Sequence, residues 1–119
     1  MVPMGKGERN EKLRAMAASS FREQAALNEA LAIVRDFNAR LSAKGTILSW
    51  PTIGVALISK HPWLIIACDA CDTITDLDLR VKPRAPDKAV NVALDDIRCS
   101  RCNGHGRPRI VALSQFATI

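Results

Sequence analysis

Four cysteines, arranged as two Cys-x-x-Cys pairs, are the residues of this sequence best suited to chemistry. Two residues separate the cysteines within each pair, and 27 residues separate the pairs. Two such pairs typically supply four thiolates to one tetrahedral Zn²⁺ ion, which they bind for structure rather than for catalysis. The sequence therefore predicts one structural zinc site. Its ligands are Cys68, Cys71, Cys99 and Cys102.

The residues after each pair favour the same interpretation. A tight turn that aims two sulfurs at one ion often needs a residue that tolerates positive φ just after the second cysteine. Asp72 and the dipeptide Asn103-Gly104 occupy these positions. His105 could compete as a ligand, but four thiolates already complete a structural zinc site. We therefore expect His105 to be an exposed turn residue.

The four cysteines could also serve as disulfides, as a redox dithiol or as iron ligands. Disulfides are rare in the reducing cytoplasm, where we place the chain because its N-terminus lacks the pattern of a secretion signal. A redox dithiol needs one pair at a strand-to-helix junction, whereas a strand pattern follows the first pair. Rubredoxins bind iron with two pairs at nearly this gap, but they are generally acidic and have aromatic residues around the iron. No aromatic residue lies between Cys71 and Cys99, so iron is the weaker alternative.

A long N-terminal helix is the first element predicted. Residues 8–44 contain neither Gly nor Pro, and apolar residues with Asn38 among them recur at spacings of four and three between residues 27 and 41. This stripe is strongest over residues 25–43. Three roles are open to it: packing within the chain, pairing with a second copy that Asn38 keeps in register, or docking on a partner protein. The predicted interface residues are Leu27, Leu31, Val34 and Leu41.

The rest of the chain predicts a small β domain. Pro51 suits the first turn of a short helix. Asp87 can cap another helix, whose apolar residues are Val90, Ala93, Leu94 and Ile97. The predicted elements are a helix at 52–59, strands at 63–67, 73–81 and 109–114, and the helix inserted between the cysteine pairs. We therefore expect an α+β fold, with a long amphipathic helix at residues 1–45, which could dimerise or dock on a partner, and a zinc-ribbon-like domain at 46–119.

The cysteine pairs and their flanking segments resemble a zinc ribbon with an inserted helix, over residues 63–114. The ribbon motif is specific for metal and unspecific for function. The runs WPTIG at 50–54, WL at 63–64 and DLR at 78–80, together with both pairs, are also similar to a group of small alphaproteobacterial proteins of uncharacterised function. This second resemblance, over residues 50–114, implies a shared fold and brings no activity with it.

Basic residues surround the second cysteine pair. The net charge is +5 and the pI about 9.4, which permits attraction to nucleic acid. Guanidinium groups bind phosphate well, so these residues could form a phosphate-binding face, although ordinary solubilising charge explains them equally. The candidates are Arg98, Arg101, Arg107, Arg109, Lys82 and Arg84.

These observations predict a non-catalytic structural-zinc protein. Four bound thiolates leave no open position for water, so hydrolysis at the metal is disfavoured. We expect a small regulatory module that binds DNA or RNA; the alternatives are an assembly subunit that docks through the N-terminal helix and, a distant third, a rubredoxin-like electron carrier. Prolines and a lysine interrupt the most apolar region, residues 47–67, so no membrane span is expected. Because the N-terminus also lacks the pattern of a secretion signal, the chain is predicted to be cytoplasmic.

Overall fold

The computed structural model describes residues 6–81, 84–95, 97–99, 101–102 and 106–118. It contains one long helix, one short helix, a 3₁₀ helix and three strands, which confirms the α+β class. In chain order the elements are α1 (Lys6–Ser42), α2 (Ile53–Ile58), β1 (Trp63–Cys68), β2 (Ile74–Asp78), the 3₁₀ helix (Val90–Leu94) and β3 (Pro108–Ser114). None of the described helices has the length and apolar composition needed to cross a membrane.

Helix α1 ends with a left-handed residue. Lys44 has φ of 55°, and the N–H of Gly45 donates to the carbonyl of Arg40 at 2.8 Å. This is the hydrogen bonding of a helix C-cap, in which the residue with positive φ satisfies the last free carbonyl groups. The helix ends at Ser42, within two residues of the end of the segment 8–44 that lacks Gly and Pro.

The C-terminal half of α1 packs on the rest of the chain. Val34 and Phe37 are buried in the main hydrophobic cluster, and Leu41 packs against it. The side-chain N–H of Asn38 donates to the carbonyl of Leu113 at 2.9 Å, and its Oδ1 accepts from the N–H of Leu113 at 2.9 Å. Asn38 therefore ties α1 to β3 instead of setting the register of a dimer, because both of its amide groups are used within the chain.

The predicted interface stripe is divided by this packing. Val34 is fully buried in the chain's own core, so it is not available to a partner in this fold. Leu27 and Leu31 remain half-buried. We call the preceding part of α1, residues 11–29, the arm, and the part of the molecule packed around the sheet the body. The division of the chain at residue 45 stays a prediction.

The three strands form one antiparallel sheet in the order β2-β1-β3. The central strand β1 is buried from Leu64 to Cys68, because both edges are paired and the faces are covered. Cys68 pairs with Pro108 and Ala67 with Ile74, so one end of the sheet joins the first cysteine pair to the start of β3. The opposite end holds Trp63.

Helix α2 confirms the short helix predicted after Pro51. Thr52 is its N-cap, and the Thr52 side chain accepts a hydrogen bond from the N–H of Val55 at 3.1 Å. The N–H groups of Ile53 and Gly54 donate to the carbonyls of Lys88 and Pro86. The start of α2 is therefore satisfied partly by the segment that lies between the two cysteine pairs.

Two predicted elements differ from the structure. Asp87 caps no helix: the 3₁₀ helix begins at Val90, with Ala89 as its N-cap and no side-chain capping bond. The reason is that residues 86–88 form a turn in which the N–H of Lys88 donates to the carbonyl of Ala85, and Ala89 then bridges Thr52 at the start of α2. Strand β2 ends at Asp78, short of the predicted end at residue 81, and Val81 is 77% exposed.

Candidate metal centre

The fold brings the four cysteines together. One sulfur atom from each lies within 4.8 Å of all the others. The Sγ atoms of Cys68 and Cys102 are 3.5 Å apart, as are those of Cys71 and Cys99. Four sulfurs about 2.3 Å from one zinc ion would be roughly 3.8 Å from each other, so the cluster has the size of a tetrahedral thiolate site. All four residues are free cysteines, positioned to bind one metal ion.

A tight turn after β1 positions the first pair. We call this turn, residues 68–71, the first knuckle, and residues 99–102 the second knuckle. The N–H of Asp72 donates to the carbonyl of Cys68 at 2.8 Å, and Asp72 has φ of 56°. The expectation of a residue with positive φ after Cys71 is therefore confirmed. The hydroxyl of Thr73 lies 2.9 Å from the Sγ of Cys71, close enough to donate to a thiolate.

The 3₁₀ helix, which precedes the second knuckle, and β3, which follows it, place the second knuckle beside the first. The N–H of Ile97 donates to the carbonyl of Leu94, and Ile97 packs against the hydrophobic cluster just before Cys99. The N–H of Asp69 donates to the carbonyl of Arg107 at 2.9 Å, immediately before β3. The predicted turn residues Asn103 and Gly104, and His105 after them, lie outside the described residues.

Gly106 is a functional residue that the sequence interpretation missed. A Cβ atom at this position would lie 2.0 Å from the Sγ of Cys68 and 2.9 Å from the Cβ of Ala70. Atoms cannot approach so closely, so only glycine leaves room for the Cys68 sulfur. The sequence does contain a signal for this role. Gly106 stands shortly after the second cysteine pair, and glycines in such positions often mark a close approach of the backbone to another group.

The surroundings of the sulfurs favour different protonation states. Burial raises the pKa of the Cys68 thiol to about 11. Hydrogen bonds from the backbone of Cys102 and Arg101 lower the pKa of the Cys99 thiol to about 6. Cys99 is therefore a thiolate at neutral pH, whereas the buried Cys68 needs a nearby cation to ionise, as a metal ligand does.

Arg109 contacts two carboxylates of its own chain, and its role in phosphate binding stays a prediction. Its guanidinium contacts the carboxylates of Asp69 at 3.2 Å and Asp72 at 2.9 Å, and it also donates to the carbonyl of Cys68. These ion pairs neutralise the charge of Arg109 and link β3 to the first knuckle. The pKa of Arg109 is raised by Asp72 and Asp69 for the same reason.

The other predicted basic residues differ in their surroundings. Arg98, Arg101 and Arg107 are exposed, and none of them forms an ion pair with another described residue. Among the described residues, Arg98 donates only to the carbonyl of Ile97. Arg84 is half-buried, and Lys82 lies outside the described residues.

Comparison of the chain with family models, with curated proteins and with solved structures finds no match. The resemblance to zinc ribbons and to small alphaproteobacterial proteins therefore stays a prediction from the motifs. The metal site is assigned from the geometry of its own four cysteines.

Proposed function

We propose that the chain is a non-catalytic module in which one structural Zn²⁺ ion joins the two knuckles, and that it binds nucleic acid beside the second knuckle. The cluster of four sulfur atoms within 4.8 Å is the observation that carries the metal assignment. Zinc would be held by Cys68, Cys71, Cys99 and Cys102. It would supply a cross-link that holds both turns in place, with no ligand position left for a substrate.

The composition of the cluster supports zinc over harder metals. It is made of thiols alone, and thiolates select zinc or iron rather than magnesium or calcium. The close approach of Gly106 to the Cys68 sulfur supports a structural role, because it leaves that ligand enclosed by backbone. Iron with the same ligands is distinguished by the colour and the metal content of the purified protein.

Arginines that form no ion pair with a described residue support the nucleic-acid assignment. Arg40, Arg80 and Arg109 each contact a carboxylate within 3.2 Å. Arg98, Arg101 and Arg107, in contrast, have no ion pair with a described residue. A guanidinium group without a carboxylate partner is available for a bidentate contact with phosphate. Arg101 lies in the second knuckle and Arg98 just before it, while the carbonyl of Arg107 accepts from the N–H of Asp69 in the first knuckle. A bound metal would therefore limit the movement of all three.

Metal analysis and a nucleic-acid titration test the proposal on one preparation. We expect one zinc per chain, and binding to duplex DNA or RNA whose logarithmic salt dependence has a slope of about −2.7, for three phosphate contacts. Replacing Arg98, Arg101 and Arg107 together with Ala should weaken binding about tenfold or more at low salt.

The matched control removes the same charge elsewhere. Lys12, Arg14 and Arg35 are exposed on α1, and replacing all three with Ala also lowers the net charge by three. This control variant should retain most of the affinity. Absence of binding at low salt, or an equal loss in both triple variants, would contradict nucleic-acid binding at the second knuckle while leaving the metal site unaffected.

A further inference from the structure

The arm of α1 has no packing partner within the described chain. Every residue from 11 to 29 is exposed except Leu27, which is half-buried, and the first buried residue of α1 is Ala30. Helices in water gain most of their stability from packing rather than from intrinsic propensity. An arm of this length therefore calls for a contact outside its own chain.

One face of the arm carries two charges without partners. Arg22 and Glu29 are seven residues apart, so they lie on the same face about two turns from each other. The positions three and four residues from each hold only Ala, Ser and Ile, so neither can form the usual ion pair along the helix. Neither forms an ion pair with another described residue, whereas Arg40 pairs with Asp36 at 2.9 Å.

We propose that α1 pairs with α1 of a second copy as an antiparallel, two-fold symmetric dimer centred between Ala25 and Ala26. In this arrangement Arg22 faces the partner's Glu29, and Glu29 faces the partner's Arg22. Each contact occurs twice because a two-fold interface is the same surface on both chains. A parallel pair in register would instead place Arg22 against Arg22 and Glu29 against Glu29.

The same pairing is consistent with charges further from the centre. Glu11 comes level with the partner's Arg40, which also pairs with Asp36 of its own chain, so this contact adds a second carboxylate beside an existing ion pair. Ala18 comes level with the partner's Ile33, which is 38% exposed. The centre lies within two residues of the midpoint of α1, so both helices overlap along nearly their whole length.

The position of the body leaves this face open. At about 100° per residue, the face that holds Arg22, Glu29 and Arg40 lies roughly a quarter turn from the buried face of Val34 and Phe37. The body begins at Ala30, level with the partner's Phe21. The two bodies therefore lie on opposite sides of the centre and do not collide.

An exposed apolar groove borders the same face. It has a volume of about 350 Å³, and its lining includes Ile33, Phe37, Leu48 and Pro51. Leu48 is 77% exposed, and Trp50 beside it is 40% exposed. The partner's arm would run along this groove and remove part of it from water. The dimer thus uses a face on the side of α1 opposite Leu27 and Leu31, and not the Val34 face that the body covers.

Charge reversal of the full-length chain tests the pairing. Light scattering during size-exclusion chromatography at low salt should give twice the chain mass of 13.0 kDa for the original chain. Arg22→Glu or Glu29→Arg alone should be monomeric, since each places like charges opposite each other twice. The double variant Arg22→Glu/Glu29→Arg should be dimeric, and so should an equimolar mixture of the two single variants.

Arg35→Glu is the control, because Arg35 is exposed on another face of α1. It should leave the dimer intact, and circular dichroism with zinc content should show that every variant is folded. A monomeric original chain, a dimer that neither single reversal weakens, or a double variant that stays monomeric would overturn the antiparallel pairing. None of these outcomes depends on nucleic-acid binding.

Discussion

At the scale of single residues, the metal centre depends on one position that is not a ligand. Gly106 lies against the Cys68 sulfur, where a Cβ atom would be 2.0 Å away. Ligand identity alone therefore does not make the site, since the chain that leaves the second knuckle must pass within contact distance of a ligand on the first. Arg109 reinforces the same junction through its contacts with Asp69 and Asp72.

Gly106→Ala is predicted to weaken metal binding about tenfold or more, because the new methyl group displaces the Cys68 sulfur at a cost of about 1–3 kcal/mol. A competition titration with a coloured zinc chelator measures the affinity. Gly45→Ala is the matched control, because its Cβ would come no closer than 3.6 Å to the Arg40 carbonyl. Equal affinities in the two variants would show that Gly106 has no role in the site.

At the scale of elements, a polar side chain joins the long helix to the sheet. Asn38 uses its amide N–H and its carbonyl oxygen on the backbone of Leu113, and Leu113 is buried. These bonds complete the outer edge of β3, which would otherwise leave two backbone groups unpaired beneath α1. The helix is thereby held in one register against the body.

Asn38→Ala is predicted to destabilise the chain by about 2–4 kcal/mol, because it leaves a buried N–H and a buried carbonyl without partners. Urea denaturation measures the free energy of unfolding. Asn28→Ala serves as the control, since Asn28 lies on the exposed arm and only accepts a hydrogen bond from Gln24. A loss no larger than that of the control would mean that water replaces Asn38 at β3.

At the scale of the whole molecule, the two knuckles close the sheet at one end. The first follows the central strand, and the second leads into β3, which pairs with that strand from Cys68 to Trp63. The proposed zinc ion would cross-link this end of the sheet, and an ion bound only in the folded state would add its binding energy to folding.

Removal of the metal is predicted to lower the melting temperature by about 15 °C or more, because a loss of a few kcal/mol shifts a small domain by several degrees per kcal/mol. Thermal unfolding followed by circular dichroism, with and without a chelator under reducing conditions, measures the change. Re-addition of zinc should restore the original curve. An unchanged melting temperature after verified metal loss would contradict a structural role.

The sequence by itself determined the features that depend on residue type and short spacing. The cysteine pairs indicated a metal site, the absence of Gly and Pro over residues 8–44 indicated α1, and Asp72 was expected to adopt positive φ. The order of strands and short helices could be predicted for the same reason, since periodicity and turn residues act over a few positions.

Only the tertiary structure decided which distant residues meet. Asn38 lies 75 positions from Leu113, and Arg109 lies 37 from Asp72. Asn38 fitted a dimer seam equally well in the sequence, and Arg109 fitted a phosphate-binding face. Their partners depend on how α1 and β3 pack on the central strand, which no local pattern specifies, and the contact of Gly106 with Cys68 follows from the same packing.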